Sequence, residues 1–221
     1  MHKKIEHKPL TLKSLIDYSV KQFSNCPSVS FVEGNPITYK ELGAKIDEIA
    51  ELLFSLGLQK GDKVALFSQN MPNWVIAYFA VVSKGLVIVP ILPDFTREEA
   101  ENVMLHSESK VLFVSERQAS KIDGLVLPDL KAQISLDDLT IKSGDIVAPV
   151  SLKEINKIKV TEEDTVTIIY TSGTTGRSKG VVLSHKSVAF VAMQSYTFCA
   201  INHDDVFLSF LPLSHTYENT I

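Results

Sequence analysis

Cysteine is nearly missing from this chain. Cys26 and Cys199 are the only two in 221 residues, far apart and without CxxC spacing, which removes both a disulfide framework and a cysteine-based zinc site. Such thiol poverty fits a reducing, cytoplasmic setting. A basic stripe is missing too: 22 Lys and Arg are scattered among 26 Asp and Glu, for a net charge of -4, so nothing equips the chain to grip a nucleic-acid backbone. The basic opening, MHKKIEHK, reads as a solvated tail, and no signal-peptide pattern starts the sequence. His2, His7, His106, His185 and His203 lack ligand spacing, so no metal is expected on them. The nearest approach to a membrane-length apolar run is WVIAYFAVVSKGLVIVPIL, Trp74 to Leu92. Ser83, Lys84, Gly85 and Pro90 punctuate it in the manner of a buried helix, a turn and a buried strand.

What is present is an ordinary globular composition, 45% hydrophobic and 22% charged, in a length that permits an enzyme domain. Thr38 and Glu41 have capping-box spacing, and Leu42, Ile46, Ile49, Leu53 and Leu56 then recur at helical intervals up to Gly57. The run Val64–Ser68 reads as a strand, Asn73–Ser83 as a helix and Leu86–Ile91 as the next strand. A second capping box, Thr96 with Glu99, opens a helix through about Ser107, and Lys110–Ser115 supplies a third strand. Strands alternating with helices of about three turns imply βαβ units, because parallel neighbours need a long crossover. The expected fold is α/β: parallel sheets covered by helices in three αβα layers, split between two lobes. Three regions follow: an alternating region over about 38–115, an irregular connection with one or two short strands over 116–163, and a final region over 164–221. That last region opens with the β-branched strand Thr165–Tyr170, and after a polar loop come VVLS and an apolar helix from about His185 to Phe198.

The polar loop is TSGTTGRSKG, Thr171 to Gly180, with three glycines, five hydroxyl side chains and two cations in ten residues. Glycine lets backbone N–H groups turn towards a ligand, and Ser and Thr add rotatable donors, so such a loop is built to wrap an anion. From Thr165 to His203 there is no Asp or Glu, where chain-average density would supply roughly four or five. The pattern fails the Walker test, GxxxxGK[ST]: counting from Gly173, Ser178 stands where the second glycine belongs and Gly180 where the magnesium-ligating hydroxyl belongs.

YTSGTTGRSKGVVLSH instead closely resembles the phosphate-binding signature of the adenylate-forming (AMP-binding) superfamily, which includes acyl-CoA synthetases, peptide-synthetase adenylation domains and luciferases. LPLSHTYEN, Leu211 to Asn219, resembles the motif that follows this loop in long-chain fatty-acid CoA ligases, and ITYKEL, GDKVALFSQN and KGLVIVPILP are similar to the family's N-terminal region. Ser178 departs from the family, where many members carry proline, which makes the loop less stiff. The resemblance implies that ATP and a fatty acid form an acyl-adenylate and pyrophosphate, after which coenzyme A takes the acyl group. It further implies that Thr171, Ser172, Gly173, Thr174, Thr175 and Gly176 surround the β and γ phosphates with Lys179 close by, and that the Thr171 hydroxyl helps hold Mg²⁺. Donors already aimed at the departing pyrophosphate suit that chemistry.

His215 matches a family position on the wall between the nucleotide and acyl sites. Outside the LPL context a lone histidine among apolar residues reads as a structural group; within it, the expectation is contact with the adenylate or acyl chain. Glu218 is open between a solvated charge and a site residue. Three features of the family are not found in these 221 residues: the later acidic motif, the ribose-binding aspartate and the C-terminal lid domain with its lysine. The chain is therefore expected to be an incomplete N-terminal AMP-binding domain, inactive alone. The alternatives are adenylation of another acid for transfer to a carrier protein, and a non-catalytic nucleotide-binding domain. Peripheral membrane contact would suit an insoluble substrate, although no amphipathic anchor is seen.

Overall fold

The computed structural model describes residues 8–171, 179–198 and 205–215. Helix α1 (Leu12–Gln22) starts at Thr11, whose side chain accepts the Ser14 N–H. A small antiparallel pair follows, β1 (Pro27–Val29) with β2 (Ile37–Thr38). Helix α2 (Tyr39–Ser55) begins at the expected reciprocal box: the Thr38 hydroxyl accepts the Glu41 N–H while the Glu41 carboxylate accepts the Thr38 N–H at 2.7 Å. Strand β3 (Lys63–Phe67), helix α3 (Pro72–Val82), strand β4 (Val87–Ile91), helix α4 (Arg97–Ser107) and strand β5 (Val111–Val114) come next, with α4 opened by the second box at Thr96 and Glu99. The remainder comprises α5 (Glu116–Ala119), β6 (Ala132–Ser135), β7 (Ile141–Ser143), α6 (Leu152–Ile155), β8 (Thr165–Thr171), β9 (Lys179–Ser184) and α7 (His185–Phe198).

Among the described residues, seven of these strands join one sheet in the order β7-β6-β5-β3-β4-β8-β9. β3 pairs in parallel with both β4 and β5, and β8 is parallel to β4 through Ile88 and Thr167. The two edge strands, β7 and β9, are antiparallel to their neighbours. Alternation along β3 explains the three layers: Val64 and Leu66 share a core with α1, α2, α3 and α7, while Ala65 and Phe67 share another with Ala100, Val103 and Met104 of α4. Residues such as Leu53, Phe67 and Phe113 have no exposed surface, and burial of each side chain contributes about 1.5–3 kcal/mol.

The division into two lobes does not hold among the described residues, because β8 extends the β3–β4 sheet rather than starting another. The sheet is also mixed rather than wholly parallel. Between residues 116 and 163, where one or two short strands are expected, lie β6 and β7 together with the one-turn helices α5 and α6. Neither α1 nor the β1–β2 pair follows from the sequence patterns. The start of α1 and the residues before it meet the segments that flank the β8–β9 hairpin: the Leu12 N–H donates to His185 Nδ1 at 3.2 Å and the Leu10 N–H to the Glu162 carboxylate at 2.8 Å.

Candidate functional site

Because β8 runs parallel to β4, its carboxyl end emerges at the same sheet edge as those of β3, β4 and β5. That edge is where open α/β sheets take up ligands. Thr171 is the last residue of β8 and Lys179 the first of β9, and the two are register partners across the mouth of the hairpin. Both are exposed. The anion-loop residues Ser172, Gly173, Thr174, Thr175 and Gly176 lie outside the described residues, as do Arg177 and Ser178.

One pair inward from the mouth, Tyr170 faces Gly180. A Cβ on Gly180 would stand 2.9 Å from Ile168 Cγ2 and 3.1 Å from Tyr170 Cζ, so the aromatic ring occupies the space that a side chain would need. Tyr170 is buried, and burial pushes its phenol pKa up, so the hydroxyl stays protonated. Its Oη shares a 2.7 Å hydrogen bond with Nδ1 of His106, in the last turn of α4, and the two rings meet edge to face at 5.7 Å between centroids.

The second motif reaches the same edge by a different device. Asn70 follows β3, and its Nδ2 donates to the Leu211 carbonyl at 2.7 Å and to Ser209 Oγ at 3.0 Å, while its Oδ1 accepts the Leu213 N–H at 2.8 Å. Residues 209–213 are thereby fastened two strands away from β8, roughly 10 Å across the sheet. His215 follows this anchored stretch, exposed, with its N–H donating to the Pro212 carbonyl at 2.8 Å. Glu218 lies outside the described residues. Beside Asn70, Gln69 accepts the Ser115 hydroxyl at 2.9 Å and so ties the ends of β3 and β5 together.

At the opposite end of β8, Asp164 forms a 2.6 Å ion pair with Lys60, and its main-chain carbonyl accepts the His185 N–H at 3.0 Å. Burial raises the Asp164 pKa, but the Lys60 ammonium and the bonds from Thr161 outweigh that and hold the carboxyl below its usual range. This cluster closes the base of the hairpin, away from the loop. Sequence patterns do not point to Asn70 or His106 as parts of this edge. Their partners lie 143 and 64 residues away, and no local pattern announces such a contact. No group of three or more His, Cys, Asp or Glu among the described residues could hold a metal ion, and no described helix is long and apolar enough to cross a membrane.

The architecture is that of an α/β protein carrying a polar, carboxylate-free loop at the carboxyl ends of its strands. The chain belongs to the AMP-binding enzyme family, whose profile matches residues 16–221. One relative is the crotonobetaine/carnitine–CoA ligase of Escherichia fergusonii, 33% identical over 190 residues, which amount to 82% of this chain and 37% of that protein. Another is fatty acyl-CoA synthetase A of Dictyostelium discoideum, 31% identical over 201 residues, covering 84% of this chain and 30% of that one. The fold is shared with ATP-bound MatB from Rhodopseudomonas palustris, at a TM-score of 0.77 and 24% identity over 96% of this chain and 42% of that one. The chain thus spans less than half the length of each of these proteins.

Proposed function

We propose that this chain carries the triphosphate-binding half-site of an ATP-dependent acid–CoA ligase, which in its full-length form activates a long-chain fatty acid as the acyl-adenylate and passes it to coenzyme A. The observation that supports this best is the pairing of Thr171 with Lys179 at the mouth of a hairpin on the ligand edge of the sheet. The sequence between them, rich in glycine and hydroxyl residues, supplies amides and alcohol groups for the β and γ phosphates. Lys179 adds a positive charge where negative charge develops on the departing pyrophosphate. Thr171 to Gly180 carries five hydroxyl side chains and no carboxylate, and Thr171 is the one of the five that lies among the described residues. The Thr171 hydroxyl would help hold a Mg²⁺ ion bound with the triphosphate, and that ion would supply further neutralisation of the leaving group. His215, carried on the segment anchored by Asn70, faces the adenylate or acyl chain. ATP and coenzyme A are cytosolic reactants, which accords with the exposed free thiol of Cys26. An insoluble acyl substrate adds peripheral membrane contact.

A second reading takes a small polar acid as substrate, favoured by the similarity to crotonobetaine/carnitine–CoA ligase. Carboxylate-dependent ATP–pyrophosphate exchange by the full-length ligase, with palmitate, acetate, carnitine and amino acids compared, separates the two. Exchange driven by palmitate is the expected result and exchange driven only by carnitine favours the second; exchange with none of these acids defeats both. The 221-residue chain alone is expected to give no exchange.

A further inference from the structure

The hydrogen bond between His106 and Tyr170 sits where the loop is launched. Tyr170 immediately precedes Thr171, and its register partner Gly180 immediately follows Lys179. A single ring therefore touches both strands at the hairpin mouth: it belongs to β8, it covers the bare α-carbon of β9, and its tip is held by α4. Packing alone does not call for this arrangement, since phenylalanine would fill the same volume against Ile168 and the α4 core. A buried phenol does call for a partner, and a partner at a fixed point makes the contact directional, so the ring can neither slide along β9 nor turn away from it. His106 itself is not among the residues that hold the phosphates directly in this reading of the hairpin.

We infer that His106 and Tyr170 are positioning residues, through which α4 sets the spacing and direction of Thr171 and Lys179 and so the affinity of the hairpin for a magnesium-bound triphosphate. The inference rests on the reading of the hairpin as a triphosphate site. Groups that bind in place lose affinity steeply when the frame holding them loosens, even though none of the removed atoms touches the ligand.

The test is calorimetric titration of the 221-residue chain with MgATP and, separately, with inorganic tripolyphosphate. Tyr170→Phe, which keeps the ring and its packing, and His106→Ala are each expected to weaken both probes roughly tenfold. The double variant is expected to be no weaker than either single one, because both remove the same bond. His106→Asn, which returns a hydrogen-bonding atom near the Nδ1 position, is expected to recover most of the loss. Wild-type affinity in Tyr170→Phe and His106→Ala, or a double variant whose loss is the product of the two single losses, overturns the positioning role and leaves the phosphate site standing. Wild-type protein that binds neither probe overturns the phosphate site itself, and the positioning role with it. Tyr170→Phe keeps the comparison decisive if His106→Ala fails to fold.

Discussion

Asn70 holds Leu213 across 143 positions of sequence: its Oδ1 accepts the Leu213 N–H at 2.8 Å while its Nδ2 donates to the Leu211 carbonyl at 2.7 Å. One amide thus reads both edges of a segment that has no helix or strand of its own, and that segment leads directly to His215. Replacing Asn70 with Ala removes these two bonds and the one to Ser209 Oγ, leaving the Leu211 carbonyl and the Leu213 N–H to water, at a cost of about 1 kcal/mol or more to the anchored segment. Amide hydrogen exchange checks this locally. Leu213 is expected to exchange several-fold faster in Asn70→Ala while the β3 amides of residues 64–67 keep their rates; unchanged exchange at Leu213 would remove Asn70 as the anchor.

Lys84 is buried at the turn between α3 and β4, with its ammonium 2.8 Å from Asp47 Oδ1 and 3.0 Å from Asn156 Oδ1. The Lys84 side chain is 6% exposed and that of Asp47 41%, so the two partners are not equivalent. Asp47→Ala strands a buried ammonium with one neutral acceptor, and the expected loss is about 1–3 kcal/mol. Lys84→Met fills the same space without a charge and returns Asp47 to water, with an expected change under about 1 kcal/mol. Urea unfolding of both variants tests the order, and a Lys84→Met that proves the costlier would show that the ion pair itself is the stabilising element.

His185 is fully buried between the start of α7 and the start of α1, and it accepts the Leu12 N–H through Nδ1. Burial pulls its pKa down to about 4, with the Asp164 carboxylate opposing and Lys60 reinforcing the shift. An unfolded chain takes up the proton near the ordinary value of 6.5, whereas the folded one waits until about 4. Across that window the unfolded state binds more protons, so stability falls as pH falls, by roughly 3 kcal/mol in total, and is fully retained above the window. His185→Gln, which keeps an acceptor for Leu12, is expected to flatten this slope. Denaturant unfolding followed from neutral pH down to about pH 4 decides it, and equal slopes in the two proteins would mean that His185 is not the group responsible.

Local chemistry makes a large share of the architecture legible. Both capping boxes, the β-branched run of β8 and the buried helix–turn–strand from Trp74 to Ile91 stand where short-range patterns put them. The turn in the last of these works because Gly85 adopts φ +80°, a conformation that Ser83 or Lys84 would resist. Long-range pairing is not legible. Nothing in Thr165–Tyr170 says that its neighbour is Ile88 in β4, which is why the sequence alone suggests two lobes where, among the described residues, β8 joins the β3–β4 sheet. At the candidate site the composition of the loop, and the places of Thr171 and Lys179 at its ends, can be read directly. Asn70 and His106 cannot, because an asparagine or histidine in isolation looks the same whether it faces water or holds a distant strand.

The phosphate grip of the hairpin is read most directly by titrating MgATP and MgAMP into the 221-residue chain, as wild type and as Lys179→Ala. A cradle for the β and γ phosphates requires wild type to bind ATP at least roughly tenfold more tightly than AMP, and Lys179→Ala to lose most of that margin. Equal affinity for the two nucleotides, or a margin that Lys179→Ala leaves untouched, would contradict it.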